Sequence, residues 1–318
     1  MNVEKMIPIN QKILITGASG LIGKNLISRL NKEGYEVLGL DSKNDLRDST
    51  LTQKLFKNYK PDLVFHLAAK VGGIFANSNY KADFYSDNVL INTNVINACV
   101  SNNVEYVFAM GTGCAYPKRL ENNVLYEKDF LDGIPEITND AYAYAKRGLL
   151  VHLKSLEESE IIKYTFCLPA NIYGPFDNFH PLNSHVVPGL IRRFCDSFDK
   201  NLNEILIWGD GSARRDFLFI DDCIDAIIKL SSIQFSGVVN VSSKTLTSIK
   251  ELAELIKDKT NFKGLIKYDV SKLSGQKQRI MDPTIMDNLN WSPHINLHDG
   301  IAKTVKWFFE NRSVIRER

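Results

Sequence analysis

A short apolar run, KILIT at 12–16, leads directly into Gly17-Ala18-Ser19-Gly20-Leu21-Ile22-Gly23, where a helical pattern begins at once. This strand–turn–helix junction constrains the fold more than any other feature of the chain. Glycines there allow a tight turn and leave the backbone bare, while the helix start aims unpaired N–H groups at whatever lies above it. A dinucleotide's pyrophosphate needs all three properties together. A glycine triplet in isolation is weak evidence, but this one has the required context. Gly17, Ser19, Gly20, Leu21, Ile22 and Gly23 are therefore the expected cofactor turn.

The rest of the first half repeats the alternation. Runs at 36–40, 62–67, 105–110 and 164–168 read as buried strands, and helical spacing covers 21–31, 51–59, 77–101 and 141–158. Strands alternating with helices imply an α/β fold built on a doubly wound parallel sheet. Beyond residue 168 the pattern changes to a stretch, 169–184, rich in Pro, Asn, Gly and His with little periodicity. Loops of that length are usually functional or mobile. Helices at 187–198, 222–230 and near 248–257 follow, with strands ending at Trp208 and covering 216–220 and 238–241. The expected division is a cofactor domain, 1–169, and a smaller C-terminal substrate-binding lobe, 170–318, with the chain around 215–245 returning to the first.

Composition removes several classes. Of 318 residues, 39 are Lys or Arg and 37 Asp or Glu, a net charge of +2 with no excess that would suit a nucleic-acid partner. No apolar run reaches the roughly 18 residues of a membrane span. The opening MNVEKMIPIN has no signal-peptide stretch. The five cysteines are widely spaced and include no CxxC pair, which disfavours disulfides and zinc and favours a reducing cytoplasm.

Three further positions carry chemistry. Tyr142 and Lys146 lie four apart in a helical segment and share one face. A nearby ammonium is expected to lower the tyrosine pKa and prepare it for proton exchange with a carbonyl or alcohol. Thr112 follows the fourth strand, at the carboxyl edge where such sheets bind ligands, and its hydroxyl can help hold the same oxygen. Tyr144 is off that face. Asp41 ends the second strand, where an acid bonds the ribose 2′-hydroxyl of NAD(H), whereas Lys43 suits the 2′-phosphate of NADP(H).

With the glycine turn, the Thr112, Tyr142 and Lys146 set resembles the short-chain dehydrogenase/reductase superfamily, in its extended nucleotide-sugar branch, with a Rossmann-like fold. Four stretches sharpen the resemblance: Lys70-Val-Gly-Gly-Ile74 with Ala76 and Asn77; Cys114-Ala-Tyr-Pro117; Asn171-Ile-Tyr-Gly-Pro175 running on to Asn183-Ser-His185; and Trp208-Gly-Asp-Gly211 with Arg215-Asp-Phe217. Together they resemble the GDP-L-fucose synthase family, whose members epimerise C3 and C5 of GDP-4-keto-6-deoxy-D-mannose and reduce its C4 ketone.

The resemblance implies that Cys114 and His185 exchange the C3 and C5 protons, and that Thr112, Tyr142 and Lys146 hold the C4 oxygen. It also implies that Lys146 binds the nicotinamide ribose. Asn171, His185, Arg193, Trp208, Arg215 and Arg279 would contact the GDP-sugar, Trp208 as a guanine stacker. His180 competes with His185 on spacing, and the resemblance favours His185. NADP(H) is the cofactor the resemblance implies. However, Ser19 stands where the family has a basic residue, and Asp41 replaces a neutral or basic one, so NAD(H) stays open. A sister GDP-sugar enzyme such as a GDP-colitose synthase, and a non-catalytic nucleotide-sugar-binding protein, are the alternatives. The segments 77–101 and 141–158 resemble the helix pair that builds homodimers in the superfamily.

Overall fold

The computed structural model describes residues 7–8, 11–118, 124–181, 183–271 and 279–315. In chain order the first half runs β1 (Ile13–Thr16), α1 (Leu21–Lys32), β2 (Val37–Leu40), α2 (Ser49–Tyr59), β3 (Leu63–His66), α3 (Ile74–Asn79) and α4 (Lys81–Ser101). It continues with β4 (Tyr106–Met110), β5 (Val124–Leu125), α5 (Asp140–Glu158) and β6 (Lys163–Pro169). Then follow β7 (Asn171–Tyr173), α6 (Val186–Asp199), β8 (Glu204–Trp208), β9 (Arg214–Phe219), α7 (Ile220–Ser232) and β10 (Gly237–Val241). The last elements are β11 (Leu246–Ser248), α8 (Ile249–Lys259), β12 (Leu265–Asp269), β13 (Ile280–Met281), α9 (Thr284–Asn288) and α10 (Leu297–Glu310).

Six strands form one sheet in the order β10-β6-β4-β3-β1-β2, every neighbouring pair parallel. An all-parallel sheet must be covered on both faces. Here α1 packs on α7, while α2, α4 and α5 form a second group, and β1, β3 and β4 are buried along their whole length. From β1 the chain goes to β2 on one side and then crosses to β3 on the other. This reversal opens a crevice at the carboxyl ends of β1 and β3, where doubly wound sheets take their ligands.

Shorter sheets complete the C-terminal half: β11-β9-β7, β12-β8 and β13-β5. The stretch 169–184 is not wholly irregular, because β7 pairs in parallel with β9. The single helix expected over 77–101 is two. Asn77 Nδ2 donates to the carbonyls of Gly72 (2.7 Å) and Gly73 (3.2 Å), and Tyr80, at φ −122° and ψ 39°, ends α3 before α4 begins. Among the described residues no helix is long and apolar enough to cross a membrane.

Candidate active site

The glycine turn has the geometry its sequence predicts. Gly17 adopts φ +75°, which side chains resist, and any Cβ there would meet the backbone after β3 at Ala68 N, 2.8 Å away. A Cβ on Gly23 would lie 2.3 Å from the Gly17 carbonyl oxygen. Gly20 N-caps α1 with no side-chain cap, so the first N–H groups of the helix are left for an external acceptor. A pyrophosphate fits this cradle, and Gly17, Ser19, Gly20, Leu21, Ile22 and Gly23 would hold it. At the end of β2 the Asp41 carboxylate accepts the Lys43 backbone N–H at 2.9 Å, and the Lys43 side chain is exposed.

A buried network joins this turn to α5. Asn92 Nδ2 donates to the Ala145 carbonyl at 3.2 Å, which aims its Oδ1 at His66 Nε2, 3.0 Å away. The imidazole therefore donates from Nε2 and accepts the Thr16 hydroxyl at Nδ1, 2.9 Å. Thr16 Oγ1 in turn accepts the N–H groups of Leu67 and Ala68 at 3.2 and 3.1 Å. Burial, with Lys146 close by, pushes the His66 pKa down to about 3, so the ring is neutral.

On α5, Tyr142 and Lys146 fall on one face as expected, but their coupling differs from the expectation. Lys146 is fully buried and its Nζ donates to the Met110 carbonyl at 2.7 Å, at the end of β4. Burial drops its pKa to about 8. The Tyr142 pKa is raised, not lowered, by burial and by the nearby Cys114. With the ammonium spent on a carbonyl, desolvation decides, and the phenol stays a proton donor.

The loop after β4 is tightly built. A Cβ on Gly111 would lie 2.4 Å from the Phe166 ring, so no side chain fits at that position. Thr112 Oγ1 accepts the Cys114 N–H at 3.3 Å and caps a 3₁₀ turn, Gly113–Ala115, leaving the Cys114 side chain exposed. Cys114 lies within electrostatic reach of Tyr142, Arg215 and Arg279, and burial lowers the pKa of both arginines. Arg279 also donates to the Pro117 carbonyl.

The remaining predicted contacts lie beyond β6. His185 N-caps α6, makes no side-chain cap, and has its pKa lowered by burial. Its segment is drawn to the sheet because the Gly73 N–H donates to Asn183 O at 3.3 Å. His180 Nδ1 instead accepts the Asn183 N–H at 3.1 Å and braces its own loop. Asn171 Nδ2 donates to Asp216 O at 2.8 Å. Arg193 donates to Leu206 O on β8 at 2.8 Å, and Trp208 ends that strand 65% exposed, free to stack on a planar ring. Lys70 pairs with Asp87 at 2.8 Å and closes its own loop. Sequence reasoning missed His66 and Arg147. Their signals are a lone polar residue ending the apolar strand β3 and a second cation directly after Lys146.

A bare glycine cradle at the switch point of a parallel sheet, with a threonine in the loop after β4 and a tyrosine and a lysine on α5, defines a dinucleotide-dependent oxidoreductase of the short-chain type. A sequence model of the NAD dependent epimerase/dehydratase family matches residues 13–242, and the chain belongs to that family, on its GDP-L-fucose synthase branch. The GDP-L-fucose synthase of Escherichia coli (strain K12) is 35% identical over 318 residues, covering 96% of this chain and 99% of that one. The GDP-L-colitose synthase of Yersinia pseudotuberculosis is 33% identical, covering 95% and 99%. A crystal structure of a GDP-L-fucose synthetase from Naegleria fowleri bound to NADP superposes with a TM-score of 0.88 at 30% identity, covering all of both chains.

Proposed function

We propose that this protein is an NADP(H)-dependent epimerase–reductase that converts GDP-4-keto-6-deoxy-D-mannose to GDP-L-fucose. The observation that carries the reading is the exposed Cys114 thiol within reach of Tyr142, Arg215 and Arg279. A plain ketone reductase has no use for a thiol there. The 4-ketone acidifies the protons on C3 and C5. Cys114 and His185 remove each proton and return one to the opposite face, and the charge that develops on O4 is met by Thr112, Tyr142 and Lys146. Reduction then needs a proton on the same oxygen, and the neutral Tyr142 phenol supplies it. A dinucleotide whose pyrophosphate is held on the glycine turn would supply the hydride for C4. Asn171, Arg193, Trp208, Arg215 and Arg279 take the GDP-sugar, the arginines as charge-assisted donors to a diphosphate.

In this reading residues 1–169 carry the cofactor and 170–318 mainly the GDP-sugar, with the chain around 215–245 returning to the first unit, as the place of β10 beside β6 supports. The protein works in the cytoplasm as a homodimer through α4 and α5, a view supported by the exposed apolar side chains of Tyr85, Leu90, Tyr144 and Val151 on those helices.

The test is incubation with GDP-4-keto-6-deoxy-D-mannose in deuterated water, once with NADPH and once with NADH. We expect cofactor oxidation, with deuterium at both C3 and C5 of the product. Label at C5 alone would move the assignment to colitose-type chemistry. Absence of turnover would favour a nucleotide-sugar-binding protein.

A further inference from the structure

Helix α5 grips the loop after β4 at both ends. Lys146 Nζ donates to Met110 O at 2.7 Å, where the loop starts, and Arg147 Nε donates to Ala115 O at 2.9 Å, where it finishes. Between these anchors lie Thr112 and Cys114. The other Arg147 nitrogens donate to Gly133 O at 2.7 Å and Asp132 O at 2.8 Å, tying the loop to the following turn. Arg147 is buried, and among the described residues it makes no ion pair. Its fork donates to three neutral carbonyls, an arrangement that does not neutralise its charge.

The two reacting groups depend on this clamp unequally. Tyr142 is part of α5 and keeps its place through the helix. The Cys114 side chain is exposed. Its position comes from the backbone on either side, through the Thr112 cap and the Ala115 carbonyl.

We infer that Arg147 is a positioning residue for proton exchange, fixing the Cys114 end of the loop, while hydride transfer relies on Tyr142 and on the Thr112 end that Lys146 holds. This rests on the assignment of Cys114 to epimerisation. Two rates separate the roles. One is deuterium entry at C3 and C5 of GDP-4-keto-6-deoxy-D-mannose. The other is single-turnover reduction of NADP⁺ by GDP-L-fucose, the reverse of the reduction step, in which hydride leaves C4 for the nicotinamide and the hydroxyl proton passes to the tyrosinate form of Tyr142, so no epimerisation is needed. Both are expressed per cofactor-binding site, for Arg147→Gln, Arg147→Lys and Cys114→Ser.

We expect Arg147→Gln to slow deuterium entry at least tenfold while hydride transfer changes less than threefold. Arg147→Lys, which keeps a cationic donor at the same helix position, should recover part of the exchange, and it carries the test if the Gln variant fails to fold. Equal loss of both rates, or exchange at the wild-type rate, overturns the inference. Cys114→Ser exchanging at the wild-type rate overturns the assignment beneath it, whatever the Arg147 variants do.

Discussion

Burial sets the protonation states at the residue scale. Lys146 would hold its proton to about 10.5 in water and gives it up near 8 in the fold. Between those values the unfolded chain binds the extra proton, so this group's penalty is full below pH 8 and is relieved as pH rises. At ~1.4 kcal/mol per pKa unit, the cofactor-free protein should gain about 2 kcal/mol from this group between pH 7 and 9.5. Chemical unfolding at the two pH values, compared with Lys146→Met, checks this, and parallel curves for the two proteins would refute it. Tyr142 shows why sequence spacing is a poor guide to electrostatics. Two residues four apart do share a face, but where an ammonium points depends on which carbonyl is nearest, and here that is Met110. Cys114 and His185 were legible only through the resemblance, because a cysteine or histidine beside a strand says nothing by itself about what approaches it.

At the scale of elements, the glycine turn was readable because its requirements are local: a positive φ, a bare backbone and a helix start within seven residues. Gly23→Ala puts a methyl against the Gly17 carbonyl oxygen, a 2.3 Å approach that must displace the turn. Such overpacking costs about 1–3 kcal/mol, and we expect dinucleotide affinity to fall at least tenfold. Fluorescence titration with NADPH measures it, and wild-type affinity in the variant would refute the fit of the cradle. The break at Tyr80 was not readable, since 77–101 carries no Pro or Gly. It is imposed from outside the segment, where Gly72 and Gly73 offer their carbonyls to Asn77 and Lys81 finds Asp140 on α5 at 2.8 Å. The short strand β7 was missed for a similar reason, because its three residues become a strand only by lying against β9.

For the whole molecule, α4 and α5 present Tyr85, Leu90, Tyr144 and Val151 to solvent, all at least 45% exposed. Exposed apolar side chains of this kind favour association, and a two-fold dimer is the commonest closed assembly. Sedimentation should give twice the chain mass, and Val151→Asp should shift the protein toward the monomer; a wild-type monomer at micromolar concentration would refute the dimer. The sequence by itself determined the alternation of strands and helices, the cofactor turn and the family, because these rest on periodicity and on motifs a few residues long. Only the tertiary structure decided that Thr16, His66, Asn92 and Ala145 form one buried chain of hydrogen bonds, and that Arg147 closes the loop bearing Cys114. Those contacts join residues tens of positions apart, and a desolvated polar group takes the partner that packing places beside it.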